Sequence, residues 1–360
     1  MRIGILTYQR AENYGALLQA YAMMTYLKSL GHEVSFVDYW PKYHADYFKI
    51  FSWKTFKRTG WKGKILIVLN CILPTKHVRK HRLQRFMHER LGLNKKAIYT
   101  DANATTEHYD VVIYGSDQIW RKQNLGGVGF DKWYYGSSNV VADKKVVYAG
   151  SMGVIESSEE DDEYVKKMMD NFDSISVREN DLKDHLQKLG VDSIQVIDPV
   201  FLLTKEQWRS LKAPSKHKGE YILFYNLLNS GKARKFADQL SLEKGLPVIE
   251  INKNPFKGTV CDASVERFLQ LIDDAAYVVS NSFHGVALSL IFEKQFYAVG
   301  MGGKSSRVIS LLKSANMVER YSDDGVDLPS SEIVYHEVRE KLSMMRSSSI
   351  RFINDGLNDE

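Results

Sequence analysis

An α/β fold of two doubly wound domains facing a cleft is what this sequence predicts. In both halves of the chain, short apolar runs alternate with segments whose apolar residues recur at helical spacing. A length of 360 residues supports two domains at roughly 150 residues each. A polar stretch with a proline, within residues 198–220, separates the two alternating series.

The first forty residues read as one β-α-β unit. A strand at 2–7 leads through a polar loop at 8–15 to a helix at 16–30, stopped by Gly31, and a second strand follows at 33–38. So short a unit predicts a parallel pair with a right-handed crossover. Residues 39–96 break the rhythm. They are aromatic, then basic, with helical patterning at 76–90, and read as a helical insertion at about 40–100. Strands then fall at 110–114, 145–149 and 174–177, with helices at 163–172 and 179–189, completing an N-terminal domain over 1–200. The C-terminal domain, 201–330, alternates strands at 221–225, 247–251, 277–280 and 295–299 with helices at 232–244, 264–274, 285–292 and 307–314. A tail over 331–360 carries a helix through about residue 345 and is expected to pack back on the N-terminal domain.

Charge is distributed unevenly. Between residues 54 and 96 there are thirteen Lys and Arg and one acid, Glu89, an excess larger than the net +5 of the whole chain. The remainder is mildly acidic, most visibly in ESSEEDDE at 156–163. Trp53, Phe56, Trp61, Ile65 and Leu66 interleave with the cations, which suits either anionic lipid heads or a solvated face covering the core. No nucleic-acid-reading motif accompanies them, so no nucleic-acid partner is expected. Cys71 and Cys261 are too few for a disulfide framework, in keeping with a reducing compartment. The sequence enters its first strand without a signal-like segment, and the longest apolar run, at 65–73, falls short of the roughly 20 residues a bilayer span needs. The expected location is cytoplasmic, peripheral at the inner face of the membrane. His77, His81 and His88 lack an acidic partner at ligand spacing, and no metal site is expected.

In open α/β sheets ligands bind beyond the carboxyl ends of the strands. That rule selects four loops. Asn13, Tyr14 and Gly15 open the first helix, either as backbone donors to a sugar or anion or as a turn and cap. Ser116, Asp117 and Gln118 follow an apolar strand and suit hydroxyl recognition, or cap the next helix. Arg178, at a strand-to-helix turn, offers a fork for carboxylate or phosphate, or a salt bridge to Glu179. His284 starts an apolar helix, where a helix N-terminus keeps an imidazole neutral and ready for proton transfer; the alternative is a core histidine. Residues 300–307 (GMGGKSSR), with Lys304 and Arg307, suit an anion or form a surface turn; they are not a Walker A loop, and no G-x-G-x-x-G supports a dinucleotide.

Taken together, ILTYQRAENYGALLQAYAM, DVVIYGSDQIW, SISVREN, IDPVFLL and VVSNSFHGVALSLIF resemble the polysaccharide pyruvyl transferase family, in order over roughly residues 1–310. The resemblance implies Rossmann-like halves in a glycosyltransferase-B-like arrangement. It implies transfer of the enolpyruvyl group of phosphoenolpyruvate to a sugar of a surface polysaccharide precursor, lipid-linked or polymeric, as a pyruvate ketal, with no further cofactor. His284 would be the acid/base, Arg178 would grip one anionic end of the donor, and Lys304 or Arg307 the other. Asn13, Tyr14, Ser116 and Asp117 would face the acceptor. Ser282 stands where better-studied branches carry the arginine of an Arg-Leu-His triplet, so the lost fork falls to Lys304 or Arg307 or the donor differs. Two other readings fit the architecture: a glycosyltransferase using a nucleotide-sugar, with Glu293 on the ribose, and a non-catalytic glycan- or anion-binding protein.

Overall fold

A computed structural model describes residues 1–100, 107–123, 129–215, 217, 219–252 and 259–358, with the side chains of Lys54, Asn70 and Lys304 outside that set. Two all-parallel sheets organise the chain. The first is built from β1 (Arg2–Leu6), β2 (Glu33–Phe36), β3 (Tyr109–Tyr114), β4 (Ala142–Gly150), β5 (Ser174–Val177) and β6 (Ile194–Gln195), in the order β2-β1-β3-β4-β5-β6. The second is built from β7 (Ile222–Tyr225), β8 (Val248–Ile251), β9 (Tyr277–Ser280), β10 (Gln295–Val299) and β11 (Tyr321–Ser322), in the order β11-β10-β9-β7-β8. Each sheet therefore reverses its strand order once, between β1 and β3 and between β7 and β9. The protein is a two-domain, doubly wound α/β chain.

Strand interiors such as Val111, Val112 and Ile113 are buried on both faces, as parallel strands covered by helices on both sides must be. Helix α1 (Tyr14–Ser29) is buried nearly all round because it lies between the two domains, against the turn Pro199–Leu202 on one side and α10 (Val265–Asp273) on the other. It begins two residues before its apolar pattern, since Asn13 Oδ1 accepts the Gly15 N–H as an N-cap. Leu17, Val200, Phe268 and Leu288 belong to one continuous apolar core that spans the domain interface.

Other boundaries also moved for capping reasons. Helix α6 (Glu159–Met169) starts within the acidic run, because Ser158 and Asp161 form a capping box and four acids sit at the positive end of the helix dipole. The insertion forms α2 (Lys42–Tyr47), α3 (Trp53–Arg58), α4 (Trp61–Ile72) and α5 (Pro74–Glu89), of which pattern alone had shown only the last. The final helix, α13 (Tyr335–Leu357), is longer than its pattern and lies along the first domain. The Ile197 N–H donates to Ser349 Oγ, Arg346 donates to Leu202 O at 2.8 Å, and Gly356 packs on Val146. Among the described residues no helix is long and apolar enough to cross a membrane.

Candidate active site

The strand-order reversals of the two sheets face each other, and a cavity of about 530 Å³ opens between them. Its walls are the loops after β1 (Tyr8, Ala11, Asn13), β3 (Asp117, Gln118), β7 (Leu227, Leu228) and β9 (Asn281 to His284), closed by Arg307. The insertion adds His44, Tyr47 and Phe48, giving an aromatic side to the cavity. A second cavity of about 710 Å³ adjoins it, sharing Arg121, Lys122, Val154, Leu228 and Met301.

His284 lies in the first turn of α11 (Phe283–Ile291), buried against the first turn of α1. A Cβ at Gly15 would overlap its ring on the Nδ1 side, so glycine is what lets the two helix starts approach. The other ring nitrogen, Nε2, is buried without a hydrogen-bond partner, 3.8 Å from Asp198 Oδ2. Burial lowers the His284 pKa, against the opposing pull of Asp198 and Asp117, so the imidazole is neutral at neutral pH.

Asp198 is the functional candidate that sequence reading missed. In the sequence it stands at the domain boundary and within the family-like segment IDPVFLL without a site role, and its Asp-Pro step does serve as a turn: Oδ1 accepts the Val200 N–H. Oδ2 is fully buried and accepts from Arg178 Nη1 at 2.7 Å and from Ser116 Oγ at 3.3 Å. The carboxylate thus joins the two domains through His284.

Arg178 does not reach the cavity wall. It is 4% exposed, beneath the Phe283 ring at 4.8 Å, with Nε on Glu179 at 3.0 Å and Nη1 on Asp198. Burial works against its charge, but Glu179 and Asp198 hold its pKa above the ordinary value. The expectation of a direct donor grip is replaced by a buried ion-paired support, with only Nη2 unpartnered. Ser116 is likewise corrected. It is fully buried, and its hydroxyl is used by Ala149 O, Asp198 and Arg178, so it faces inward rather than toward an acceptor. Tyr14 is corrected too: its ring stacks on Phe268 at 4.5 Å and its hydroxyl donates to Ala263 O, making it part of the domain interface. The Gly15 N–H is already taken by Asn13.

Asn13, Asp117, Gln118, Ser282, His284 and Arg307 do meet in the cavity. Asp117 adopts φ +74°, a left-handed conformation eased by its own carboxylate accepting the Gln118 N–H at 2.8 Å. Helix α11 receives no side-chain cap from Ser282, and α12 (Ser306–Ser314) none from Ser305. The first N–H groups of α11 are therefore left as donors, whereas at α12 the Val308 N–H already donates to Ser305 O; Arg307 in the first turn of α12 forms no ion pair among the described residues. Burial and the neighbouring Arg178 depress its pKa, against the opposing pull of Glu179, Asp117 and Asp198. The Lys304 side chain lies outside the described residues. Glu293 is away from the cavity, paired with Lys205 and Arg339 at 2.8 Å each. His77 and His88 meet backbone carbonyls of their own segment.

Among solved structures, the chain is similar to the UDP-N-acetylglucosamine 2-epimerase of Rickettsia bellii, at 11% identity and TM-score 0.43 over 99% of this chain and 96% of that one. It is also similar to the Streptomyces sp. SF2575 glycosyltransferase SsfS6, complexed with thymidine diphosphate, at 12% identity and TM-score 0.41 over 99% of each chain. No curated protein matches it. The profile of the polysaccharide pyruvyl transferase family matches residues 13–302, a span that takes in the α1 cap, the β3 loop, Arg178, Asp198 and His284. The chain belongs to the polysaccharide pyruvyl transferase family, whose members are transferases acting on a sugar acceptor.

Proposed function

We propose that the protein transfers the enolpyruvyl group of phosphoenolpyruvate to two hydroxyls of a sugar on a surface polysaccharide precursor, lipid-linked or polymeric. The observation that carries this reading is the pairing of a buried neutral imidazole with an anion-seeking corner in one cavity. The corner consists of Arg307 and the uncapped start of α11, and it suits the phosphate or carboxylate of the donor.

One sugar hydroxyl adds to C2 of the enolpyruvyl group while C3 takes up a proton. The second hydroxyl then displaces phosphate and closes the ketal. Of the two hydroxyl protons, one ends on C3 and the other leaves with phosphate. Neutral His284 is the base for the attacking hydroxyl, and the imidazolium formed is stabilised by Asp198 and returns the proton. Asn13, Asp117 and Gln118, which line the cavity, would bind sugar hydroxyls, with Tyr8, His44, Tyr47 and Phe48 as an aromatic wall for the ring face. The adjoining cavity leaves room for the glycan beyond the modified sugar. Its reactants are phosphoenolpyruvate and the glycan, with no separate cofactor, in the cytoplasm.

Acid/base catalysis by one residue is worth roughly 10²–10⁴-fold. His284→Ala is therefore expected to lose phosphate release from phosphoenolpyruvate by that factor while keeping its circular dichroism spectrum. Activity close to wild type in the folded variant would refute the assignment.

A further inference from the structure

Helix α4 of the insertion carries its apolar residues on the wrong side for an ordinary surface helix. On α4, Trp61, Ile65, Val68, Leu69 and Ile72 follow the spacing i, i+4, i+7, i+8, i+11, which places them on one face. That face is the one turned to solvent: Trp61 is 69% exposed, Ile65 51% and Ile72 70%. Trp53, 66% exposed, stands at the start of the preceding helix α3. Lys57, Arg58 and Lys62 are exposed along the same two helices, and neither helix contains an acidic residue. Lys62 Nζ lies 5.5 Å from the Trp61 ring centre and Lys64 Nζ 5.5 Å from that of Phe56, so cations rim the indole and phenyl groups.

We propose that α3 and α4 dock this face into the interfacial layer of an anionic lipid bilayer. Aliphatic side chains on one face, tryptophans at its edge and lysines beside them match the headgroup boundary. The excess of cations matches anionic lipid. A second copy is the less suitable occupant, because two arms of like charge would meet.

The structure also divides the basic arm into two parts. Lys57, Arg58 and Lys62 on α3 and α4 are turned to solvent, whereas Arg79, Lys80 and Arg82 on α5 are engaged within the protein. Arg79 donates to Glu12 O at 3.2 Å, and Lys80 pairs with the Glu12 carboxylate at 2.8 Å and donates to Phe48 O at 2.9 Å. Glu12 immediately precedes the Asn13 cap, and Phe48 lines the cavity. Helix α5 follows α4 after Leu73 alone, so the docking face and the cavity rim belong to one short, braced segment. Docking would hold the cavity beside the bilayer, where a lipid-linked acceptor resides. Lipid binding itself does not depend on the transfer reaction and is measured without it.

The test is flotation of the full chain with phosphatidylcholine vesicles, with and without phosphatidylglycerol. Binding is expected only to the anionic vesicles, to weaken with added salt, and to shift tryptophan emission to the blue. Ile65→Glu with Leu69→Glu, and separately Lys57→Glu with Lys62→Glu, should each lower binding by at least about tenfold. The charge-reversal pair alters only exposed groups, so it decides the matter if the first pair misfolds. Binding that ignores lipid charge or survives both pairs overturns the proposal. So does a wild-type dimer, seen by sedimentation velocity, that Ile65→Glu with Leu69→Glu dissolves.

Discussion

His284 lies between a carboxylate and a helix start, and burial and the carboxylate act on its proton in opposite senses. Burial lowers its pKa below the ordinary 6.5, while Asp198 pulls it back up. Because the base form is the one required, the acidic limb of kcat/KM should have its midpoint below 6.5, with activity lost as pH falls through it. Asp198→Asn removes the raising influence at constant shape, so that limb should move to still lower pH as kcat falls. An unmoved limb in a pH–rate profile would show that Asp198 acts only as support for Arg178. Tyr14 gives the contrasting case. Its hydroxyl meets Ala263 O and Arg79 away from the cavity, so Tyr14→Phe should cost about 1 kcal/mol in denaturant unfolding while leaving kinetics within about twofold. A large kinetic loss would restore Tyr14 to the acceptor site.

Three helices begin at the cavity, and they are finished differently. Helix α1 is capped by Asn13, whereas α11 and α12 have no side-chain cap. Removing the cation in the first turn of α12, by Arg307→Ala, should raise the KM for phosphoenolpyruvate roughly 10–100-fold, the value of a charged hydrogen bond of about 1.5–3 kcal/mol. The KM for the glycan should move little, and a steady-state analysis of both substrates checks this. Close approach of α1 and α11 depends on Gly15. Gly15→Ala inserts a methyl group against the His284 ring, so it should destabilise the protein by about 1–3 kcal/mol and depress kcat. Thermal unfolding with parallel rates reads both effects.

These elements also show what was legible in the sequence. Strands such as Tyr109–Tyr114 were readable because a parallel strand buried on both faces is a continuous apolar run, and the loops after them followed from the rule for open sheets. The direction of a loop side chain has no such periodic signal. Arg178 and Ser116 sit in the right loops yet turn inward, toward a carboxylate that lies 20 and 82 residues away in sequence. Asp198 itself was hidden behind its turn-forming role before Pro199. Helix α4 was hidden because its exposed apolar face reverses the usual pattern.

At the scale of the whole molecule, the modest net charge of +5 resolves into a mildly acidic two-domain body and one basic arm, half of it braced against the cavity rim. The two sheets bring their strand-order reversals together, the shared core spans both domains, and α13 returns from the second domain to the first. In the proposed reaction, this frame would set donor-binding groups from the C-terminal domain opposite sugar-facing groups from the N-terminal one. The central claim is that pyruvyl transfer occurs across that gap with His284 as acid/base. Its most direct test is phosphate release from phosphoenolpyruvate across a panel of lipid-linked glycans, with wild type and His284→Ala compared at equal folding. The account predicts release with at least one acceptor, a matching ketal on the glycan by mass, and loss of both in the variant. Binding of the glycan with no phosphate released from any acceptor, or release unaffected by His284→Ala, would contradict it.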